Sequence, residues 1–241
     1  MSSAWNQDLV SRSEAVDLAF TSFWSNSVKL ECGTLFFNQS LPNDIFFCKL
    51  TQLTCLDDKT LDDSLHLFEK YHTVPYIYTL NNPEFEEKLV KQNFKLYDTQ
   101  HVLTKTQHSV NSSQARRISS GESMEWSETF CRAYDCHEWL ERVDEIVKKS
   151  SNSIEYYIDE TASSCVALYE SSSMLGLYCL GTIPEMRKKG LAVSLVEFAL
   201  ELTKKRNLEF LMLETYQRDN LLDFYSKLGF KEIYRKNVYT I

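Results

Sequence analysis

The chain has 241 residues, of which 43% are hydrophobic, 25% charged and 13% aromatic, a composition that fits one large or two small globular domains and excludes a disordered tail or a collagen-like repeat. A net charge of -8 argues against a general nucleic-acid binder, which needs a positive face to neutralise phosphates. No run approaches the roughly eighteen apolar residues of a membrane-spanning helix, and the opening MSSAWNQDLV has no charged-then-apolar leader, so the chain is expected in the cytoplasm.

Apolar spacing predicts a helix over residues 8–24. Strands follow at 34–37 and 45–50, separated by the turn signal Leu41-Pro42-Asn43-Asp44. A helix is predicted over 61–71, with Leu61, Leu65 and Phe68 on one face and Asp57 or Asp58 as its cap. Next come a strand at 75–79, a short helix at 83–92 and a strand at 94–104. The stretch 105–117, KTQHSVNSSQARR, is polar and free of aromatic residues, and it reads as a linker. Two domains are expected on either side of it, 1–110 and 111–241.

The second half opens with a strand at 115–119, helices at 122–134 and 138–149, and strands at 154–158, 164–169 and 175–183. A basic loop leads into an amphipathic helix at 192–206, whose apolar positions are Leu195, Val196, Ala199, Leu200 and Leu202 and whose last turn is basic. A strand at 210–215, a helix at 220–228 and a strand at 230–240 complete the reading. The expected class is α/β, or α+β, with a mixed, mostly antiparallel central sheet flanked by helices.

Only six glycines occur in the chain, against the roughly 7% of average usage. Four of them, Gly176, Gly181, Gly190 and Gly229, stand from residue 176 onward. Gly190 closes the loop Arg187-Lys188-Lys189-Gly190-Leu191-Ala192, which joins a strand to the first turn of the long helix. Unpaired N–H groups and the positive end of the helix dipole favour an anion there, and the three basic residues add charge. A pyrophosphate suits such a loop, although it is neither GxxxxGK[ST] nor GxGxxG.

These six residues resemble the R/Q-x-x-G-x-G/A signature of the GNAT superfamily of acyl-CoA-dependent N-acyltransferases. Further on, NLLDFYSKLGFKEIY is similar to the family's second signature, a helix ending in Tyr-x-x-x-Gly-Phe. The resemblance covers about residues 115–241 and implies a GNAT fold, acetyl-CoA as acyl donor, and direct attack by a primary amine in a ternary complex. It implies that the backbone of Leu180, Gly181 and Thr182 bonds the pantetheine arm, on a strand that bulges or splays at Gly181. The loop and helix start, from Arg187, Lys188, Lys189 and Gly190 to Leu191, Ala192 and Val193, would hold the pyrophosphate. Tyr225 matches the tyrosine that protonates the departing thiolate. The family asparagine seven residues before that tyrosine falls at Arg218 here, so either Asn220 substitutes for it from a shifted backbone or the cofactor contacts differ at that point.

An attacking amine must lose a proton, and the oxyanion needs a donor, for which a backbone amide of the splayed strand would serve. Glu214 is the first candidate base and Glu170 the second. The acceptor is expected to be a small molecule or a peptide amine, with no nucleic-acid or membrane partner. A non-catalytic acyl-CoA-binding regulatory or interaction protein of the same fold is the alternative, and the presence of both Gly190 and Tyr225 favours the enzyme.

The first half aligns with the second at a constant offset. FEEKLVKQNFKLYD lies over LLDFYSKLGFKEIY, which suggests a diverged GNAT-like unit in tandem with the first. Leu89 then takes the place of Tyr225, and the loop positions Lys49 to Leu56 contain no glycine, so this half is not expected to bind CoA. The seven cysteines are expected as free buried thiols. Cys131, Cys136 and His137 lack a matching fourth ligand, so no metal site is assigned.

Overall fold

The computed structural model describes residues 7–106 and 114–241; most of the stretch read as a linker, residues 107–113, lies outside them. No helix among the described residues is long and apolar enough to cross a membrane. The chain divides into two compact units that are not consecutive halves. One, the C-unit, takes the residues up to Phe20, Leu103–Glu214 and Phe224–Ile233. The other, the N-unit, takes Thr21–Val102, Thr215–Asp223 and Tyr234–Ile241.

In the N-unit, strands β1 (Asn26–Leu30), β2 (Gly33–Phe37) and β3 (Lys49–Thr51) pair antiparallel in sequence. Helix α2 (Asp58–Lys70) then carries the chain to β4 (Ile77–Thr79), parallel to β3 through Leu50↔Ile77. The side chain of Asp57 accepts from the Thr60 amide at 2.7 Å and starts α2, which buries Leu61, Ser64 and Phe68. Helix α3 (Pro83–Lys91) is capped by Asn82, begins with proline, buries Leu89 and leads to strand β5 (Lys95–Thr106). Leu35, Leu50, Leu61, Phe68, Ile77, Leu89 and Phe94 form one core with Tyr239. That tyrosine comes from the last strand, β11 (Lys231–Thr240), whose residues Asn237–Tyr239 pair antiparallel with β4. A cut at residue 110 would therefore remove a strand and a core side chain from this unit, which corrects the expected boundary.

The C-unit begins with helix α1 (Gln7–Trp24) as far as Phe20, a helix expected in the first domain. Its Val16 approaches Gly176 so closely that a Cβ there would stand 2.9 Å from Val16 Cγ1, and Phe20 stacks on Tyr178 with ring centroids 3.8 Å apart. The sheet runs β6 (Arg116–Arg117), β7 (Glu155–Ile158), β8 (Ser164–Ser171) and β9 (Met174–Thr182), all antiparallel, and β10 (Phe210–Tyr216) pairs parallel with β9. Helices α4 (Ser123–Tyr134) and α6 (Leu191–Lys205) pack on β8 and β9. Helix α5 (Leu140–Ser150) packs on α4, and α7 (Leu222–Lys227) precedes β11.

Three readings of the sequence are corrected. Residues 45–47 form a turn, because the half-buried Asp44 carboxylate accepts the amides of Phe46 and Phe47 at 2.8 and 2.9 Å, so β3 starts only at Lys49. β1 escapes a hydrophobic pattern because most of its residues are exposed or half-buried. Cys32 and Cys55 are joined as a disulfide with Cα atoms 5.0 Å apart, whereas the other five cysteines are free.

Candidate functional site

The site is built where β9 and β10 cease to pair. Their parallel register runs from Phe210↔Met174 to Leu213↔Leu177 and ends there, while both strands continue. Just beyond, β9 bulges against β8: Cys165 faces Gly181 and Ala167 faces Tyr178, so Cys179 and Leu180 together oppose Val166. Cys179 has a φ of 53°, the left-handed conformation that such an extra residue requires. The expected bulge is thus present, two residues before Gly181. The amide of Ile183 donates to Ser163 O at 2.9 Å, so by strand alternation the polar groups of Gly181 face β8 and those of Leu180 and Thr182 face the free edge.

The strand feeds a single 3-10 turn (Pro184–Met186), the basic loop and α6. Gly190 caps α6 with φ 85° and ψ -1°, a conformation that glycine adopts without strain. A Cβ built on it meets nothing within 4 Å, so the space over the loop is open. Leu191, Ala192 and Val193 form the first turn of α6, where amides have no intrahelical acceptor. The cradle fits a diphosphate and thus the anionic end of acyl-CoA. Lys188 and Lys189 are exposed, the latter with Nζ 3.2 Å from Met186 Sδ. Arg187 departs from expectation: its guanidinium donates to Thr182 O at 3.0 Å and Ala133 O at 2.8 Å. It ties the loop to α4 instead of reaching over it.

Tyr225 is 5% exposed, on α7, between the rings of Phe224 and Phe230. The helix ends at Lys227, Gly229 follows it with a φ of 85°, and Lys105 Nζ donates to the Leu228 carbonyl at 2.7 Å. Asn220 belongs to the N-unit, is exposed, and donates its side-chain amide to Arg218 O at 3.1 Å. Arg218, at the family-asparagine position, pairs with buried Asp98, Nε to Oδ2 3.2 Å, and its guanidinium lies over the rings of Tyr97 and Tyr216.

The two candidate bases separate clearly. Glu214 is the first residue of β10 after the register ends, and its carboxylate lies with those of Glu14 and Asp17 in a group whose oxygens are within 4.8 Å of one another. Glu170 lies opposite Leu175, at the other end of β9, and pairs with Arg206 at 3.0 Å. Arg206 also holds Glu155 at 2.7 Å. Burial alone would raise the Glu155 carboxyl, but hydrogen bonds from Arg206 and Tyr157 hold it below its ordinary value. Glu170 is thus part of an ion-pair network and is set aside as a base.

Sequence reasoning missed Glu14 and Asp17, since nothing local ties a helix near residue 14 to a strand near residue 214. It also missed Tyr134, whose hydroxyl donates to Leu180 O at 3.0 Å. Cys131 and Cys136 are both buried, and a hydrogen bond from Cys136 lowers the Cys131 thiol; His137 beside them is exposed.

Residues 121–230 match the model of the Acetyltransferase (GNAT) family. Among solved structures, a GCN5-related N-acetyltransferase from Kribbella flavida superposes with a TM-score of 0.65 at 12% identity, covering 94% of this chain and 93% of that one. A GCN5-related N-acetyltransferase from Sphaerobacter thermophilus gives 0.63 at 10% identity, over 96% and 90%. A tandem GNAT protein from the clavulanic acid biosynthesis pathway gives 0.59 at 10% identity, over 86% and 78%. These likenesses show a mixed α/β GNAT fold. A search of curated proteins finds no significant match.

Proposed function

We propose that the protein, whose residues 121–230 match the acetyltransferase (GNAT) family model, is an N-acetyltransferase that moves an acetyl group from acetyl-CoA to a primary amine of a small molecule or peptide. The observation that carries this reading is the free edge of β9 at Leu180 and Thr182, leading without interruption to Gly190 and the start of α6. When bound, acetyl-CoA supplies an acyl group activated as a thioester. The amides of Lys188 to Val193 hold its diphosphate, with Lys188 and Lys189 adding positive charge. An edge-facing amide of β9 donates to the oxygen on which negative charge develops.

Glu214 accepts a proton from the incoming ammonium, leaving the neutral amine that can attack. Its neighbours Glu14 and Asp17 make this corner negative and draw in a cation, so polyamines and other cationic amines are the preferred acceptor class. Tyr225 gives its proton to the departing sulfur. The N-unit repeats the order of three antiparallel strands, helix, parallel strand and helix, and is read as a diverged GNAT-like unit without a cofactor loop.

The test is an acetylation screen with acetyl-CoA across polyamines, amino acids, aminoglycosides and peptide N-termini, followed by Tyr225→Phe on the best acceptor. The variant is expected to lose about a hundredfold in kcat while its calorimetric CoA affinity stays within twofold, roughly, of the parent. An unchanged kcat removes Tyr225 from the mechanism, and the absence of any CoA binding by the parent removes the cofactor assignment.

A further inference from the structure

The free edge of β9 carries two carbonyls, and the chain's own side chains hold both. Arg187 donates to Thr182 O and to Ala133 O, and Tyr134 donates to Leu180 O at 3.0 Å. Both contacts involve the last turn of α4, which lies directly on the strand. A Cβ at position 181 would stand 2.8 Å from Ala133 Cβ and 2.9 Å from Tyr134 Cε2. Gly181 is therefore needed because α4 closes over it, as well as for any looseness of the strand.

The two contacts differ in how easily they are given up. Arg187 makes two charge-assisted bonds, a kind roughly twice as strong as a neutral one. Tyr134 makes a neutral bond from a side chain at a helix end, and the residue is 49% exposed. Behind it the chain turns through Asp135 in the left-handed conformation, φ 54°, and its ring leans on Phe130 with centroids 4.7 Å apart. About half of the residue already faces solvent, so this neutral bond is the more readily exchanged of the two.

We propose that Tyr134 is a gate on the acyl end of the cofactor channel: its hydroxyl holds the Leu180 carbonyl until an amide N–H of the pantetheine arm displaces it. This rests on the acyl-CoA reading above and adds to it a competition between a side chain and the cofactor for one acceptor atom. Tyr134 acts through the Leu180 carbonyl, so it is a positioning residue. Removing its hydroxyl should strengthen binding of the arm while leaving the diphosphate loop untouched.

The experiment is calorimetry of Tyr134→Phe with two probes: CoA, and adenosine 3′,5′-bisphosphate, which lacks the pantetheine arm. The substitution keeps the ring on Gly181 and Phe130. CoA is expected to bind about two- to tenfold tighter, the range of one neutral hydrogen bond no longer in competition. Affinity for the bisphosphate is expected to stay unchanged. CoA binding that is unchanged or weaker in the variant overturns the gate, and so does an equal gain for both probes. Tyr134→Leu removes the same hydroxyl by another route and must move CoA affinity in the same direction. Failure of the parent protein to bind either probe defeats the cofactor reading instead, which separates the two claims.

Discussion

Gly190 combines two properties that can be tested apart. Its φ of 85° disfavours any side chain, at about 1 kcal/mol for alanine, yet the space its Cβ would enter is open. Gly190→Ala is therefore expected to lower stability in urea by about that amount and to retain CoA binding. Gly190→Glu places a carboxylate where a diphosphate is proposed, and calorimetric binding should disappear. Equal affinities for the two variants would mean that no anion sits at this loop. At the same scale, Cys179 shows where the strand is actually strained. The bulge needed a residue in the left-handed region, and no glycine marked it, so the sequence suggested Gly181 as the point of irregularity. Gly181 has a different origin in the close approach of α4.

At the scale of elements, Arg206 at the end of α6 ties that helix to β7 through Glu155 and to β8 through Glu170. Glu155 is held below its ordinary value, its hydrogen bonds outweighing the effect of burial. A carboxylate lowered in the folded state contributes stability that is present above its unfolded pKa and lost as pH falls through its folded one. Arg206→Met should consequently be less stable than the parent near neutral pH, and the gap should narrow as the pH drops into and below the carboxylate range. Denaturant melts at a series of pH values measure this, and a gap independent of pH would leave only the packing of the arginine stem. The elements themselves were largely legible. α6 announced itself by Leu195, Val196, Ala199 and Leu200 at helical spacing, all buried, and Asp57 and Asn82 both cap the helices they precede. For the candidate site, the sequence points only to what is local, the loop and Tyr225. The site was illegible where chemistry depends on register: Glu214 and Glu170 are both carboxylates on strands, and only the point at which β9 and β10 part distinguishes them.

At the scale of the molecule, the allegiance of segments was hidden from the sequence. Periodicity finds a helix at 8–24 but not the sheet it will cover, and α1 is part of the C-unit through Phe20. The polar stretch around residue 110 has the composition of a linker, yet chain segments on both sides of it enter both units. Fragments 1–110 and 111–241 should each fail to give a cooperative thermal transition alone, because the first lacks the partner of β4 and the second lacks α1. Mixing them is expected to restore a transition, as followed by circular dichroism. A stable, cooperative fragment 1–110 would mean that the N-unit needs neither residues 215–223 nor 234–241.

The pairing of β4 with β11 also bears on the order in which the protein is made. The Thr79 hydroxyl donates to the carbonyl of its strand partner Asn237 across a separation of 158 residues. A chain leaving the ribosome therefore presents β4 with one bare edge until nearly all of the C-unit has been synthesised. Contacts this distant in sequence are slow to form, and an unpaired strand edge recruits strands from other chains while it waits. Completion of the N-unit thus waits for a segment that follows the C-unit in the chain, and the interval before it is when a chaperone that shields strand edges has most to offer this protein.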